Sequence, residues 1–460
     1  MKDYRRYSYW LETAGDLTPR PPLDGSLDVD VAILGAGFTG LWTAYHLLER
    51  EPSLKVVVLE AEIAGFGASG RNGGWCYSGF PYPASKLLEE YGRDTAREIC
   101  QQMYASVNDV GRVCELEGID AHYLKAGVTD VARNDHQMQH YRDYYETYRT
   151  LGLEEHYQLL DRDGVDERLR VARAVGGFRM KESATIQPAL LARGLANAVE
   201  RHGGVIYEQT RVTDYTPGPP KPTLHTARGN VTARAVVLAG EAYLAALPKL
   251  RRAIMPMTSH MVITEPLPDA VWQEIGWEGR EVVGGMGVTA GYLNKTVDGR
   301  IAFGPYRSVV PYGSKITDSL NWQEDIFDHA RRSTIDWFPA ARGTRFTHAW
   351  GGVFGIPRDR FPTMSFDKRT GIATGRGYTG SGVSTANLSG RILADLITER
   401  DTVLTHLPMT THVSRNWEPE PLRWLGTTLV RKSLQRTERI AEKTGKYPDK
   451  PTLAQRIWRS

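Results

Sequence analysis

Six residues carry the clearest chemical signal in the chain: Gly35-Ala36-Gly37-Phe38-Thr39-Gly40. The run before them, DVDVAILGAG, reads as a short apolar strand ending in glycine. The run that follows, FTGLWTAYHLLER, places Leu41, Ala44, Tyr45 and Leu48 at helical spacing. A glycine turn between strand and helix is suited to a pyrophosphate. Gly35 permits the tight turn, Gly37 lets the backbone approach the phosphates, and Gly40 lets the helix pack close to the sheet. Phe38 and Thr39 open a helix whose N-terminus offers unpaired N–H groups and a partial positive charge. A second strand, KVVVLE, ends in Glu60, twenty residues past Gly40, with Ala61 next. A carboxylate there accepts hydrogen bonds from adenosine ribose hydroxyls and repels a 2′-phosphate, which argues against NADP. NAD and FAD both satisfy this pattern, and a glycine turn without a ligand is the bland alternative.

Two further glycine-rich segments choose between them. Gly65-Phe66-Gly67-Ala68-Ser69-Gly70-Arg71-Asn72-Gly73-Gly74 follows the ribose strand almost at once. Such a loop can lie along a bulky cofactor and donate hydrogen bonds through Ser69, Arg71 and Asn72; composition alone also fits a surface loop. Near the C-terminus, Gly375-Arg376-Gly377-Tyr378-Thr379-Gly380-Ser381-Gly382-Val383-Ser384 precedes a helix, giving a second set of backbone donors.

Candidates for the reacting face are fewer. His260 lies on the strand MTSHMVITEPL and reads equally as a hydrogen-bonded sheet histidine. His348 and Trp350, in THAWGGVFG, could wall an apolar pocket or belong to the core. Tyr378 sits inside the third glycine segment. Arg307, after DGRIAFGPY, could bind a carboxylate or end a strand in solvent.

These residues need a scaffold. The chain has 460 residues, enough for two or three domains. With 41% apolar and 24% charged residues it is an ordinary globular chain. A net charge of +3 does not coat the surface for nucleic acid, and none is expected as a partner. From Arg423 to Ser460 there are ten Lys/Arg against three Asp/Glu, a local basic excess. No apolar run is long enough to span a membrane, and the opening residues lack the apolar core of a secretory signal. Cys76, Cys100 and Cys114 have no metal-ligand spacing, and no metal is expected. A sparse, odd set of thiols fits a reducing compartment, so the cytoplasm is the default. The β-α-β pattern predicts an α/β fold: a Rossmann-type domain from 28–80, 166–253 and 341–400. A second domain, an antiparallel sheet plus helices, is expected from 81–165 and 254–340. Residues 1–27 read as an extended arm, and 401–460 as a basic helix and tail that packs on the body or on a second subunit.

The three glycine segments, in this order, resemble the D-amino-acid-oxidase-like (glycine and sarcosine oxidase) superfamily of FAD oxidoreductases, and within it the gamma-glutamylputrescine oxidoreductase branch. GFGASGRNGG, TEPL at 264–267, DGRIAFG at 298–304 and the Gly-Tyr-Thr-Gly-Ser-Gly-Val run carry the likeness, from the N-terminal arm to about Leu425. The resemblance implies FAD. Gly35, Gly37 and Gly40 would hold its pyrophosphate, and Glu60 its ribose. Gly67, Ala68, Ser69, Arg71, Asn72 and Gly73 would line the stretch toward the flavin. Val212 would meet the adenine through its backbone, and Ala239 and Gly240 would pass close to the cofactor. Gly377, Tyr378, Thr379, Gly380, Ser381, Gly382 and Val383 would cover the flavin's pyrimidine edge. Some relatives tether FAD through a Cys in the C-terminal half or a His in the N-terminal loop. The last Cys here is Cys114 and the loop reads Arg71-Asn72, so a noncovalent flavin is expected. The implied reaction oxidises the C–N bond of an amine or amino acid (gamma-glutamylputrescine-like, N-alkyl or D-amino acid), with O2 as the expected acceptor. A flavin-dependent tRNA-modifying enzyme and a non-catalytic FAD-binding subunit are the alternatives. A plain NAD dehydrogenase leaves the two later glycine segments unexplained.

Overall fold

The computed structural model describes residues 2–287, 290–444, 452–454 and 456. Two eight-stranded sheets organise them. In the first, Ile372–Arg376, Gly229–Leu238, Leu27–Leu34, Val56–Leu59 and Val205–Tyr207 run parallel in that order. Thr363–Asp367 closes one edge antiparallel, and a hairpin of Val212–Thr216 and Thr223–Thr226 attaches to the long second strand. Val31, Ala32 and Ile33 and all of Val56–Leu59 are buried, as strands covered on both faces must be. The helix Phe38–Arg50 covers one face and packs against Gly382–Ile397, where Gly390 lets Trp42 approach.

The second sheet runs in the order Phe346–Ile356, Met255–Thr264, Ile301–Pro305, Gly291–Lys295, Val282–Gly285, Val128–Ala132, Gly176–Met180, Tyr157–Asp161. It is antiparallel except where Val282–Gly285 lies parallel to Val128–Ala132. Its residues alternate between two environments, as the pleat requires. Val131, Val262, Val283, Leu293 and Phe303 pack on Phe327, Trp337 and Phe338, from and just after the helix Glu324–Trp337. The other face carries Asp130, Gly284, Tyr292 and Gly304, which share one cross-strand row. This face looks toward the glycine loop at 65–74, since Gly73 abuts the Tyr292 ring.

The fold class is as the sequence predicts, with three differences. Strands 176–180 and 346–356 belong to the second sheet, inside spans assigned from sequence to the first domain. The segment 81–165 holds the helices Ala84–Leu116 and Asp135–Leu151, but also strands 128–132 and 157–161. Its long helix docks on the first domain, where Asn387 and Arg391 reach Asp109 and Gln102. The N-terminal arm is not extended. Arg5–Tyr7 and Tyr9–Glu12 form short helical turns, and Tyr4, Tyr7, Tyr9, Trp10 and Leu11 are buried, because so much aromatic surface is driven out of water.

At the other end, the helix Leu422–Thr444 packs on the body: Arg423 and Thr427 are buried, Trp424 meets Tyr312, and Arg431 bonds the Ser308 carbonyl. Among the described residues no helix is long and apolar enough to cross a membrane. No His/Cys/Asp/Glu group among them could hold a metal.

Candidate functional site

Register brings the sequence motifs together. Leu34 pairs with both Leu59 and Leu238, and Leu238 with Thr374. Gly35, Glu60, Ala239 and the Gly377 turn therefore stand at the carboxyl ends of four adjacent parallel strands. The chain leaves the central strand Leu27–Leu34 for neighbours on both sides, which opens a crevice where such sheets bind ligands.

Close backbone contacts set the first turn. The Gly35 N–H donates to the Leu59 carbonyl at 2.8 Å, and its φ of +100° is a conformation that favours glycine. A Cβ on Gly40 would lie 1.9 Å from the Gly35 carbonyl oxygen, so the helix can sit this close only without a side chain. Gly37 is the extended N-cap and has no side chain of its own to cap the helix. Glu60 accepts from the Ala36 N–H and the Glu62 N–H, both at 2.9 Å, across the turn that holds Ala61. Burial pushes its carboxyl up to about 7, against the pull of those two bonds. Thr210 donates its N–H to the Glu60 carbonyl at 2.8 Å, two residues before Val212. Ala239 donates to the Leu34 carbonyl at 3.0 Å, and Gly240 lies against Leu34.

The second loop is held by side chains. Ser69 Oγ accepts from the Phe38 N–H at 2.8 Å, tying the loop to the first helix. Asn72 donates to the Ala68 and Ser69 carbonyls and accepts from the Gly74 N–H. Arg71 is buried with no carboxylate partner. It donates to Asn321 Oδ1 at 2.9 Å, the Gly351 carbonyl at 3.2 Å, Tyr243 Oη at 2.8 Å and the Gly67 carbonyl at 3.2 Å. The guanidinium also lies 4.7 Å from the Phe66 ring centroid. The N-terminal arm straps this loop: Ser8 bonds the Gly70 carbonyl and Trp10 the Asn72 carbonyl, each at 2.8 Å.

The third segment turns sharply, with positive φ at Gly377, Thr379 and Gly380 before the helix that begins at Gly382. Ser381, its N-cap, makes no side-chain cap bond, and Val383 is buried. Glu241, which sequence reasoning missed, organises this turn. It accepts from the Gly377 and Tyr378 N–H groups at 2.8 and 3.2 Å while holding a φ of +46°. Burial pushes it up to about 7. Its Oε2 lies against Gly355, and Nε of Arg376 is buried with no hydrogen-bond partner among the described residues. An acidic residue directly after the Ala239-Gly240 strand end was the available signal.

The residues expected at the reacting face scatter. His260 is fully buried on the helix-covered face of the second sheet, with Nε2 3.0 Å from the Leu320 carbonyl, so it is the sheet histidine of the alternative reading. Desolvation lowers its pKa and favours the neutral ring. His348 is half-buried beside the arm, bonded to Glu12 and Thr347. Trp350 is core: its indole N–H donates 3.0 Å to the Arg71 carbonyl, and it packs on Trp10. Tyr378 points inward, its hydroxyl 3.0 Å from Thr39 Oγ1, between the two packed helices rather than along a pocket. Arg307 follows the strand Ile301–Pro305 and lies among Arg439, Asp325 and Arg332. These five do not form one cluster. Tyr292 instead faces the loop. It touches Gly73, sits 6.3 Å from Trp75 and 5.9 Å from Tyr306 between ring centroids, and shares a short hydrogen bond with Ser259. A tyrosine inside a strand gave no signal separating it from core.

These features fit FAD. Two helix N-termini whose N-cap residues make no side-chain bond suit its phosphates and carbonyls, Glu60 keeps lone pairs for a ribose, and the buried Arg376 Nε lacks a partner among the described residues where a polar ligand would supply one. Comparison with known proteins agrees. The model of the family described as DAO, FAD dependent oxidoreductase, matches residues 30–396. Gamma-glutamylputrescine oxidoreductase of Escherichia coli (strain K12) is 30% identical over 406 residues, 87% of this chain and 92% of that protein. A probable oxidoreductase OrdL of Haemophilus influenzae is 28% identical, covering 85% of this chain and 88% of its own. The crystal structure of glycine oxidase from Geobacillus kaustophilus has the same fold, with a TM-score of 0.70 at 21% identity over 85% of this chain and 99% of that one. On the matched span and the strand-end crevice together, the chain belongs to the DAO family of FAD-dependent oxidoreductases.

Proposed function

We propose that this enzyme oxidises the C–N bond of an amine or amino acid, with FAD bound noncovalently and O2 as the acceptor. The observation that carries the reading is the convergence of Gly35, Glu60, Ala239 and Gly377 on one crevice, with the 65–74 loop running from it to the second sheet. Gly35, Gly37 and Gly40 hold the pyrophosphate against the first helix. Glu60 receives the ribose hydroxyls, and Val212 borders the adenine. Ser69, Arg71, Asn72 and Gly73 line the path to the flavin, and the 377–383 turn covers its far edge. The likeness to an oxidoreductase named for gamma-glutamylputrescine, and the sarcosine and glycine oxidases among further relatives, support an amine or amino acid as substrate.

FAD held there would supply the two-electron acceptor for a hydride from the carbon beside the nitrogen, and water would hydrolyse the resulting imine. The chain's own work is orientation and electrostatics. Arg71, its donors spent on neutral acceptors, keeps an uncompensated positive charge beside the loop that favours electron-rich groups there. Tyr292 and Trp75 exclude water from the sheet side. The three thiols are buried, and burial pushes Cys100 and Cys114 up to about 12, which keeps them out of covalent chemistry and supports a dissociable cofactor. A cytoplasmic location fits thiols that stay free.

The test is anaerobic reduction of the purified yellow protein with polyamines, N-alkyl amino acids and D-amino acids. Bleaching by one class, with rapid recolouring in air, is the expected result. A flavin that no amine or amino acid reduces would reject the reading, and slow recolouring would reject O2 as acceptor.

A further inference from the structure

The cofactor-facing side of the second sheet carries one acid that no part of the site above uses. Asp130 lies at the middle of the strand Val128–Ala132, opposite Phe178 on one side and Gly284 on the other. Among the described residues it has no hydrogen-bond or ionic partner. Its surroundings are aromatic. A Cβ on Gly284 would lie 2.3 Å from Asp130 Oδ1 and 2.8 Å from the Trp75 ring, so the bare glycine leaves both groups facing the same space. Tyr77 lies beside Trp75, 6.1 Å between ring centroids, Tyr306 lies 5.9 Å from Tyr292, which pairs with Gly284, and Tyr141 stacks on Phe178, which pairs with Asp130. Tyr141 is fully buried and its hydroxyl has no partner. Tyr306, 56% exposed, stands at the mouth. An unpartnered carboxylate that shares its space with a tryptophan ring, with tyrosines packed around them, suits an organic cation. It repels the carboxylate of an amino acid, for which no Lys or Arg is provided among the groups that act on Asp130.

We propose that Asp130, with Trp75, Tyr77 and Tyr306, binds a non-reacting alkylammonium group of the substrate, which is therefore a diamine or polyamine derivative rather than a simple α-amino acid. The placement supports a second nitrogen rather than the reacting one. The strand Val282–Gly285 separates Asp130 from Tyr292, the residue in contact with the cofactor loop at Gly73. Two strand spacings put the acid about 10 Å along the sheet from that contact. Burial pushes the Asp130 carboxyl up to about 7 in the absence of a cation. An ammonium in the cage offsets that and holds it ionised.

This inference rests on the amine-oxidising reading, and the experiment separates the two. Holoenzyme under nitrogen is titrated by calorimetry with 1,6-diaminohexane, n-hexylamine and sodium hexanoate, while the flavin spectrum is recorded in the same samples. The diamine is expected to bind about 30-fold tighter than the monoamine, the scale of a desolvated charge contact, and Asp130→Asn to erase that difference at unchanged flavin content. The wild-type ligand comparison stands alone if the variant folds poorly. Equal affinity for diamine and monoamine, tighter binding of hexanoate, or a folded Asp130→Asn that keeps the preference would overturn the proposal. Asp130-dependent diamine binding with no bleaching by any amine would uphold the cage and reject amine oxidation. Bleaching by amino acids with no preference for the diamine would do the reverse.

Discussion

The two N-terminal glycine segments reach the same crevice by opposite means. The turn at 35–40 is fixed by what it lacks: Gly40 sits on the Gly35 carbonyl, and Gly35 hangs from Leu59 by its own N–H. The loop at 65–74 is fixed by what others bring. Arg71 reaches Asn321, Gly351 and Tyr243, and Ser8 and Trp10 bind its carbonyls from the N-terminal arm. The first should therefore break when atoms are added and the second when they are removed. The same asymmetry separates what a sequence can announce from what it cannot.

Adding atoms to the first segment gives the largest effect. Gly40→Val would force its side chain into the Gly35 carbonyl, a backbone atom that cannot move without parting strand from helix. A loss of about 3 kcal/mol or more and a colourless protein are expected, read by thermal melt and flavin content. Gly37→Ala makes an internal control. Its Cβ would meet only Ser69 Oγ, at 3.1 Å, and a hydroxyl can rotate. If both variants behave alike, backbone contact is not what holds this turn.

Removing atoms from the second segment comes next. Arg71→Met keeps most of the volume but strands the acceptors on Asn321, Gly351 and Tyr243. A loss of about 2–3 kcal/mol is expected, with flavin released on gel filtration. Trp10→Phe is gentler. It keeps an aromatic ring against Trp350 while trimming the buried indole and deleting the N–H that serves the Asn72 carbonyl. A cost of about 1–2 kcal/mol and faster flavin dissociation are expected. Unchanged flavin release in Trp10→Phe would show that the arm covers the loop without holding it.

The split explains how much was legible. The strand, turn, helix and Glu60 all lie between residues 27 and 60, and each position is dictated by its neighbours, so periodicity and glycine spacing suffice. The grip on Arg71 joins residues up to 280 positions apart, and no local pattern encodes it. Trp350 illustrates the loss. Its type suggested a pocket wall, but only the ten-residue register of Met255–Thr264 with Phe346–Ile356 shows its indole turned to the Arg71 carbonyl. His260 fails for the same reason: one step along a strand moves a side chain to the other face. Glu241 and Asp130 were missed because an acid at a strand end or in a strand reads as solvated until burial is known. The arm was misread because its aromatic residues have no period; they are spent on a distant surface.

The smallest effect sharpens the comparison from the other side, because Glu60 is the one titratable group in the backbone-built turn. Its carboxyl, pushed up to about 7, takes up a proton more readily in the folded apoprotein than in the unfolded chain. It therefore supports the apoprotein most below the unfolded value near 4.5, and that support is lost as pH rises toward 7. Cofactor binding runs the opposite way, since ribose hydroxyls donate best to the ionised form. FAD affinity should then rise between about pH 6 and 8 while apoprotein stability falls from about pH 5 to 7. Glu60→Gln should flatten both slopes and weaken FAD by about fivefold, one charge-assisted hydrogen bond reduced to a neutral one. Fluorescence titration of apoprotein with FAD across this range, beside thermal melts in the same buffers, reads both. Slopes that survive in Glu60→Gln would assign them to another group, with Glu241, also raised to about 7, as the next variant to make.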